Sequence, residues 1–180
     1  MAFSKIIAES MDLTDTFNFT GTLQQNGAGI GGVNTPYFHA YSSNGQTPSD
    51  GAWTVVELDA EHVDSHNAFD TSTYKFTVPS GHAGKYCFGG SVQTDSQADS
   101  NVHEASAMIG VNGTKYDQSY ANYAGNYPRH VTHETHGIIN LNVGDYVQLY
   151  GYLNDIGGSG MDFNGNSNRQ TRLWGFKLIE

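Results

Sequence analysis

Apolar residues recur at every second position through much of this chain. In "DTSTYKFTVPSGHAGKYCFGG", residues 70–90, Tyr74, Phe76 and Val78 alternate with polar residues. The run breaks at Pro79, Gly81 and Gly84 and resumes with Tyr86 and Phe88. A period of two is the mark of half-buried strands. Pro removes a backbone donor and Gly tolerates the dihedrals of a reversal, so the break reads as a short turn between two adjacent strands. Similar short segments follow one another: "YFHAY" (37–41), "WTVVEL" (53–58), "ASAMIGV" (105–111), "GIINL" (137–141), "YVQLYGYL" (146–153) and "TRLWGFKLI" (171–179). Asn112–Gly113 and "NVGD" (142–145) supply tight-turn signals between them. No segment has a helical period. Many short strands at regular turn spacing predict an antiparallel sandwich or jelly roll.

The first 34 residues differ from the rest. Residues 1–23 carry Ile6, Ile7, Met11, Leu13, Phe17 and Phe19 in a mixed period. A segment this short builds no core of its own, so these side chains need a partner surface. It reads either as a docking arm or as an ordinary first strand. Residues 24–34, "QQNGAGIGGVN", are Gly-rich and nearly charge-free, as a linker is. A domain of residues 35–180 follows.

Composition narrows the function. With 8 Lys and Arg against 18 Asp and Glu, the net charge is −10. Such a field repels a phosphate backbone, so no nucleic-acid partner is expected. No apolar run is long enough to cross a bilayer, and residues 1–17 show no signal-peptide core, so membrane insertion and secretion are not expected. The single cysteine, Cys87, forbids an intrachain disulfide, which fits assembly in a reducing cytoplasm.

Reactive chemistry is sparse. Cys87 sits within a strand beside two aromatics, as a packed thiol does. No Gly-x-Ser-x-Gly elbow occurs, and "GAGIGG" (27–32) lacks the Lys and Ser/Thr of a phosphate loop. No enzymatic activity and no cofactor are expected. The stretch "HVTHETH" places His130, Glu134 and His136 on one strand face and His133 on the other. It lacks the helical spacing of a zinc protease, and solvated edge-strand histidines explain it as simply. His62 and His66 lie in a loop or edge strand. Asp155, Asp162, Asn164 and Asn166 offer oxygen ligands to calcium, although loops of this kind ordinarily satisfy their own backbone. A better binding lead is "KYDQSYANYAGNYPRH" (115–130), loop-like, with Tyr116, Tyr120, Tyr123 and Tyr127 among small polar residues. Tyr gives a large contact area at low entropy cost. These tyrosines suit a glycan or protein ligand, or equally packing on the sandwich or at a subunit seam.

The strands resemble the globular domain of complement C1q, in the C1q and tumour necrosis factor jelly-roll superfamily. Asp64, Phe69 and Phe76 fall at the spacing of that pattern, and Gly84-Lys85-Tyr86-Cys87-Phe88 supplies its Gly-x-Tyr-x-Phe strand. "LNVGDYVQL" (141–149) looks like its Gly-Asp turn, and "WGFKLI" (174–179) like its closing aromatic strand. Leu58 stands where the pattern has Phe, and Gly89 and Gly90 replace an aromatic. The resemblance implies an all-β, ten-stranded antiparallel jelly-roll sandwich that forms a homotrimer. In the closing strand, Trp174, Phe176 and Leu178 share one face, expected to be the core. Leu173, Gly175, Lys177 and Ile179 share the other. With Cys87, Gly89, His136 and Gly137, the residues Leu173, Gly175 and Ile179 are expected at the threefold seam. Leucine at position 175 would then separate the subunits and leave the sandwich folded. A monomeric sandwich with both faces covered is the alternative.

An arm, a Gly-rich joint and a C1q-like head are together similar to structural proteins of tailed phages. That likeness implies a virion protein assembled in a host cytoplasm. It would be a tail fibre, appendage or capsid decoration, docked to other virion proteins through the arm. Its head would meet a host-surface glycan or protein. A cellular or secreted C1q-like recognition protein is the other reading.

Overall fold

The computed structural model describes residues 33–97, 100–157 and 160–179, and the backbone of residues 24–25 and 28–29. The chain divides into two units, Met1–Val33 and Asn34–Glu180. In the first, β1 (Gln24–Gln25) pairs antiparallel with β2 (Ala28–Gly29), within the stretch read as a linker.

The second unit is built from strands, with no helix among the described residues. In chain order these are β3 (Tyr37–Tyr41), β4 (Thr54–Val55), β5 (Ala60–Asp64), β6 (Phe69–Asp70), β7 (Lys75–Thr77) and β8 (Gly84–Asp95). Then come β9 (Val102–Val111), β10 (Thr114–Asn122), β11 (His130–Leu141), β12 (Tyr146–Asp155), β13 (Asp162–Phe163) and β14 (Arg172–Lys177). Sheet I runs β10-β9-β12-β7-β6, with β4 also on β12. Sheet II runs β11-β8-β14-β3-β5, with β13 also on β8. All pairs are antiparallel, and the sheets face each other as a jelly-roll sandwich.

Phe76, Val78, Tyr86 and Phe88 do point into one core, whereas Tyr74 lies in the turn before β7, outside it. Their two strands are not paired, however: β7 belongs to sheet I and β8 to sheet II. The break at 79–84 carries the chain between sheets, so Phe76 meets Phe88 and Tyr86 across the sandwich at centroid distances of 5.7 and 5.6 Å. Phe38 stacks on Phe76 at 4.7 Å and on Phe69 at 5.4 Å. Such ring pairs add about 0.5–1.5 kcal/mol beyond area burial. Tyr86 is fully buried but donates its hydroxyl to the His82 carbonyl at 2.6 Å, and burial pushes its pKa up to about 12.

Two loop-like segments prove structural. The first half of the tyrosine-rich stretch, through Asn122, is edge strand β10, whereas Tyr123 and Tyr127 lie in the loop that leads to β11. The Gly/Asn-rich segment after β12 holds β13, whose Phe163 is fully buried against Gly151; a Cβ there would lie 2.5 Å from the Phe163 ring.

Candidate functional site

The outer face of sheet II is the surface that the fold leaves conspicuously apolar. Strand register arranges it in rows. Tyr37, Phe176, Cys87 and Ile138 stand side by side. Val63, His39, Trp174, Gly89 and His136 form the next row, and Tyr41, Arg172, Ser91 and Glu134 the third. The Trp174 and Phe176 rings stack at 6.2 Å. Trp174 reaches across Gly89, where a Cβ would run into the indole ring, so only glycine lets the ring lie flat on the sheet. Ile138 is 60% exposed, Tyr37 42% and Val63 38%, far above what a closed core leaves. Beside Trp174 lies an open depression of about 290 Å³, lined by Cys87, Gly89, Ser91, Glu134, His136 and Arg172. Arg172 Nη2 lies 3.4 Å from Glu134 Oε1 at its rim, and Arg169 lies over the Tyr41 ring at 5.2 Å. His39 Nε2 is buried without a hydrogen-bond partner among the described residues.

The facing expected for β14 is inverted. Leu173 is fully buried in the core, and Gly175 faces Phe88 and Phe38 inside the sandwich, whereas Trp174 and Phe176 lie outside. The reason is register: Gly175 pairs with Phe88 and Trp174 with Gly89, so β14 and β8 share one alternation. Leu173 and Gly175 are therefore core residues, not seam residues. Gly137 also points inward at the sandwich edge, where a Cβ would lie 3.3 Å from the Tyr116 ring. Cys87, Gly89 and His136 lie on the outer face, and Ile179, just past β14, is 59% exposed. Ile6, Ile7, Met11, Leu13, Phe17 and Phe19 lie outside the described residues.

The four tyrosines point to four different places. Tyr116 occupies a bulge between Lys115 and Asp117, which swings it toward β11, where it donates to the Ile138 carbonyl at 2.8 Å. Tyr120 lies on the outer face of sheet I, 2.7 Å from Glu104 Oε1. Tyr123 packs on the core edge, its hydroxyl 3.2 Å from His133 Nε2. Tyr127 meets His103 edge-on at 5.8 Å. They do not form one surface.

The histidines separate as well. His130, Glu134 and His136 are exposed on the outer face, and His133 turns inward. His62 contacts His39 at 5.6 Å, while His66 contacts His82 at 4.6 Å. Among the described residues, no three of His, Cys, Asp and Glu gather closely enough to hold a metal ion. In the 155–166 loop, Asp155 accepts from the Gly157 N–H at 2.6 Å and Asp162 from the Gln46 N–H at 2.9 Å. Asn164 donates to Gln93 and Asn166 to Gln170.

Burial leads the causes that hold His39, His82 and His133 below the usual 6.5; His62, Arg172 and Arg169 add to it at His39, and His66 and Lys177 at His82. A depressed histidine favours the folded state while it is neutral. That contribution is complete above the unfolded value of 6.5 and is lost as pH falls toward the folded value. Melting is therefore expected to fall between pH 7.5 and pH 5 by a few degrees, with a smaller fall in His133→Gln. The lowered carboxylates of Asp59, Glu104 and Asp145 lose their contribution only in more acid solution. Thermal melts across the two ranges separate the groups.

Strand order and facing define a jelly roll of the C1q and tumour necrosis factor kind. The chain is similar in structure to the globular domain of zebrafish complement 1qA protein: TM-score 0.53, 12% identity, covering 81% of this chain and 99% of that one. It is also similar to murine APRIL in crystals at pH 5.0, with TM-score 0.57, 13% identity and coverage of 79% and 98%. APRIL at pH 8.0 gives TM-score 0.55 at 12% identity. No protein-family profile and no curated protein matches the sequence. The likeness is one of fold.

Proposed function

We propose that this chain is a non-enzymatic virion structural protein whose head forms a homotrimer through the outer face of sheet II. The observation that carries the trimer is the uncovered apolar face itself. Tyr37, Val63, Ile138, Trp174 and Phe176 crowd one side of a sandwich whose core is already complete. A contiguous exposed apolar patch of this kind marks an interaction surface. A threefold rotation lets one face of a subunit meet another part of the same face on its neighbour and closes the ring.

The virion assignment is supported by the sequence. The apolar positions of residues 1–23 need a surface to dock on. The arm would anchor to a tail or capsid, and the head would serve as appendage, fibre tip or decoration, with attachment to a host surface as its task. Immunogold labelling of particles from a host making this chain tests this. Gold at tail or capsid is expected. Unlabelled particles beside a soluble pool of the chain would refute it and favour a cellular recognition protein.

A further inference from the structure

On the opposite side of the sandwich, strand register builds a second surface. Across the outer face of sheet I, Asn154 of β12, Glu104 of β9 and Asn122 of β10 stand in one row. Tyr152, Ser106 and Tyr120 stand in the next. Trp53, just before β4, lies against Tyr152 at a centroid distance of 5.4 Å. We propose that this surface is a glycan-binding platform for neutral hexose units.

Glu104 organises it. Its Oε1 accepts from the Tyr120 hydroxyl at 2.7 Å and the Asn122 amide at 2.9 Å. Its Oε2 accepts from the Tyr152 hydroxyl at 3.1 Å and the Asn154 amide at 3.2 Å. An ionised carboxylate has about four lone-pair sites, so these four donors fill it. Glu104 is thus a positioning residue. It fixes the direction of two phenols and two amides drawn from three strands. Each phenol oxygen, having donated inward, keeps acceptor capacity, and each amide keeps a second N–H. Side chains on an open surface have water as an alternative partner, so a shared carboxylate that aligns all four prepares them for a ligand.

The rings supply the other half of the chemistry. Trp53 is 40% exposed and Tyr120 53% exposed, at the two ends of a row spanning three strand spacings, about 14 Å. A pyranose has an apolar C–H face and a rim of hydroxyls that both donate and accept. An exposed indole or phenol accepts the face while its polar neighbours pair with the rim. The platform is open and flat, which suits a stretch of polysaccharide rather than an enclosed small molecule. Charge selects the class. The Tyr120 hydrogen bond, with those of Asn154, Tyr152 and Asn122, keeps the Glu104 carboxyl below the usual range, so it is ionised at neutral pH. Together with the net charge of −10, it disfavours sialic and uronic acids.

The proposal rests on the attachment reading above and names its ligand class. Since this platform and the apolar face of sheet II lie on opposite sides, a trimer sealed through sheet II would present three platforms outward, and linked sites raise effective concentration.

The test is a glycan array followed by calorimetry with gluco-, manno- and galacto-hexaoses on the full chain, with polysialic acid as the anionic comparison. Binding to a neutral hexaose and none to polysialic acid is expected. Trp53→Ala and Glu104→Gln should each weaken binding at least tenfold, with mass in solution and the circular dichroism of a folded sandwich unchanged. No hexaose bound by a normally folded chain, or binding that survives both substitutions, overturns the proposal. Light scattering on the same samples separates the two readings. A trimer that ignores sugars loses the platform and keeps the seam, and a monomer that binds them loses the seam alone.

Discussion

Gly175→Leu is expected to destabilise the sandwich by about 3 kcal/mol or more, the upper range for forcing bulk into a packed core. The glycine sits in the last strand, paired with Phe88 on one side and Phe38 on the other. A Cβ there runs into Phe88 Cδ1, and lies 2.7 Å from Phe88 Cε1 and 3.1 Å from Phe38 Cε1. Neither ring has room to withdraw, since Phe38 is already stacked on Phe69 and Phe76 and Phe88 lies against Tyr86. In a domain of this size the loss lowers the melting temperature by roughly 6–12 °C. Thermal melts read it directly. A Gly175→Leu protein with wild-type melting that has merely lost its partners would place the glycine at the seam after all.

Ile138→Glu should do the reverse. Its side chain is 60% exposed in the single subunit, so the fold itself should change by no more than about 0.5 kcal/mol. In a trimer closed through sheet II, however, each new carboxylate is buried beside Cys87 and Phe176 with no cation in its row. An unpaired buried charge costs several kcal/mol, and three copies are affected at once. Sedimentation should show monomer at micromolar concentration, with circular dichroism unchanged. An intact trimer would move the seam elsewhere. The two substitutions therefore separate folding from assembly, and they do so in the opposite sense to the one β14 suggests as sequence alone.

That reversal shows where the sequence is legible. Strands such as β3 and β12 can be placed from alternation because one face is buried and the other is not. β14 carries large apolar residues on both faces, so alternation locates the strand without saying which face is inside. Only its pairing, Gly175 against Phe88 and Trp174 against Gly89, decides. The small residue at Gly89 was the available signal, because a flat indole needs a neighbour without a side chain. Edge strand β10 hides for a different reason. Half exposed along its length, it carries Tyr, Ser, Asn and Gln where a central strand carries Val and Leu, and so looks like a loop. The Glu104 cluster is invisible in sequence because its partners lie 16 to 50 residues away and meet only through register.

In solution the apolar face of sheet II should be closed by two further copies of the chain. Light scattering on the full-length protein at micromolar concentration and neutral pH tests it most directly. A mass three times the 19.5 kDa of one chain is expected. A mass of 19.5 kDa from a protein with the circular dichroism of a folded β-sandwich would contradict it.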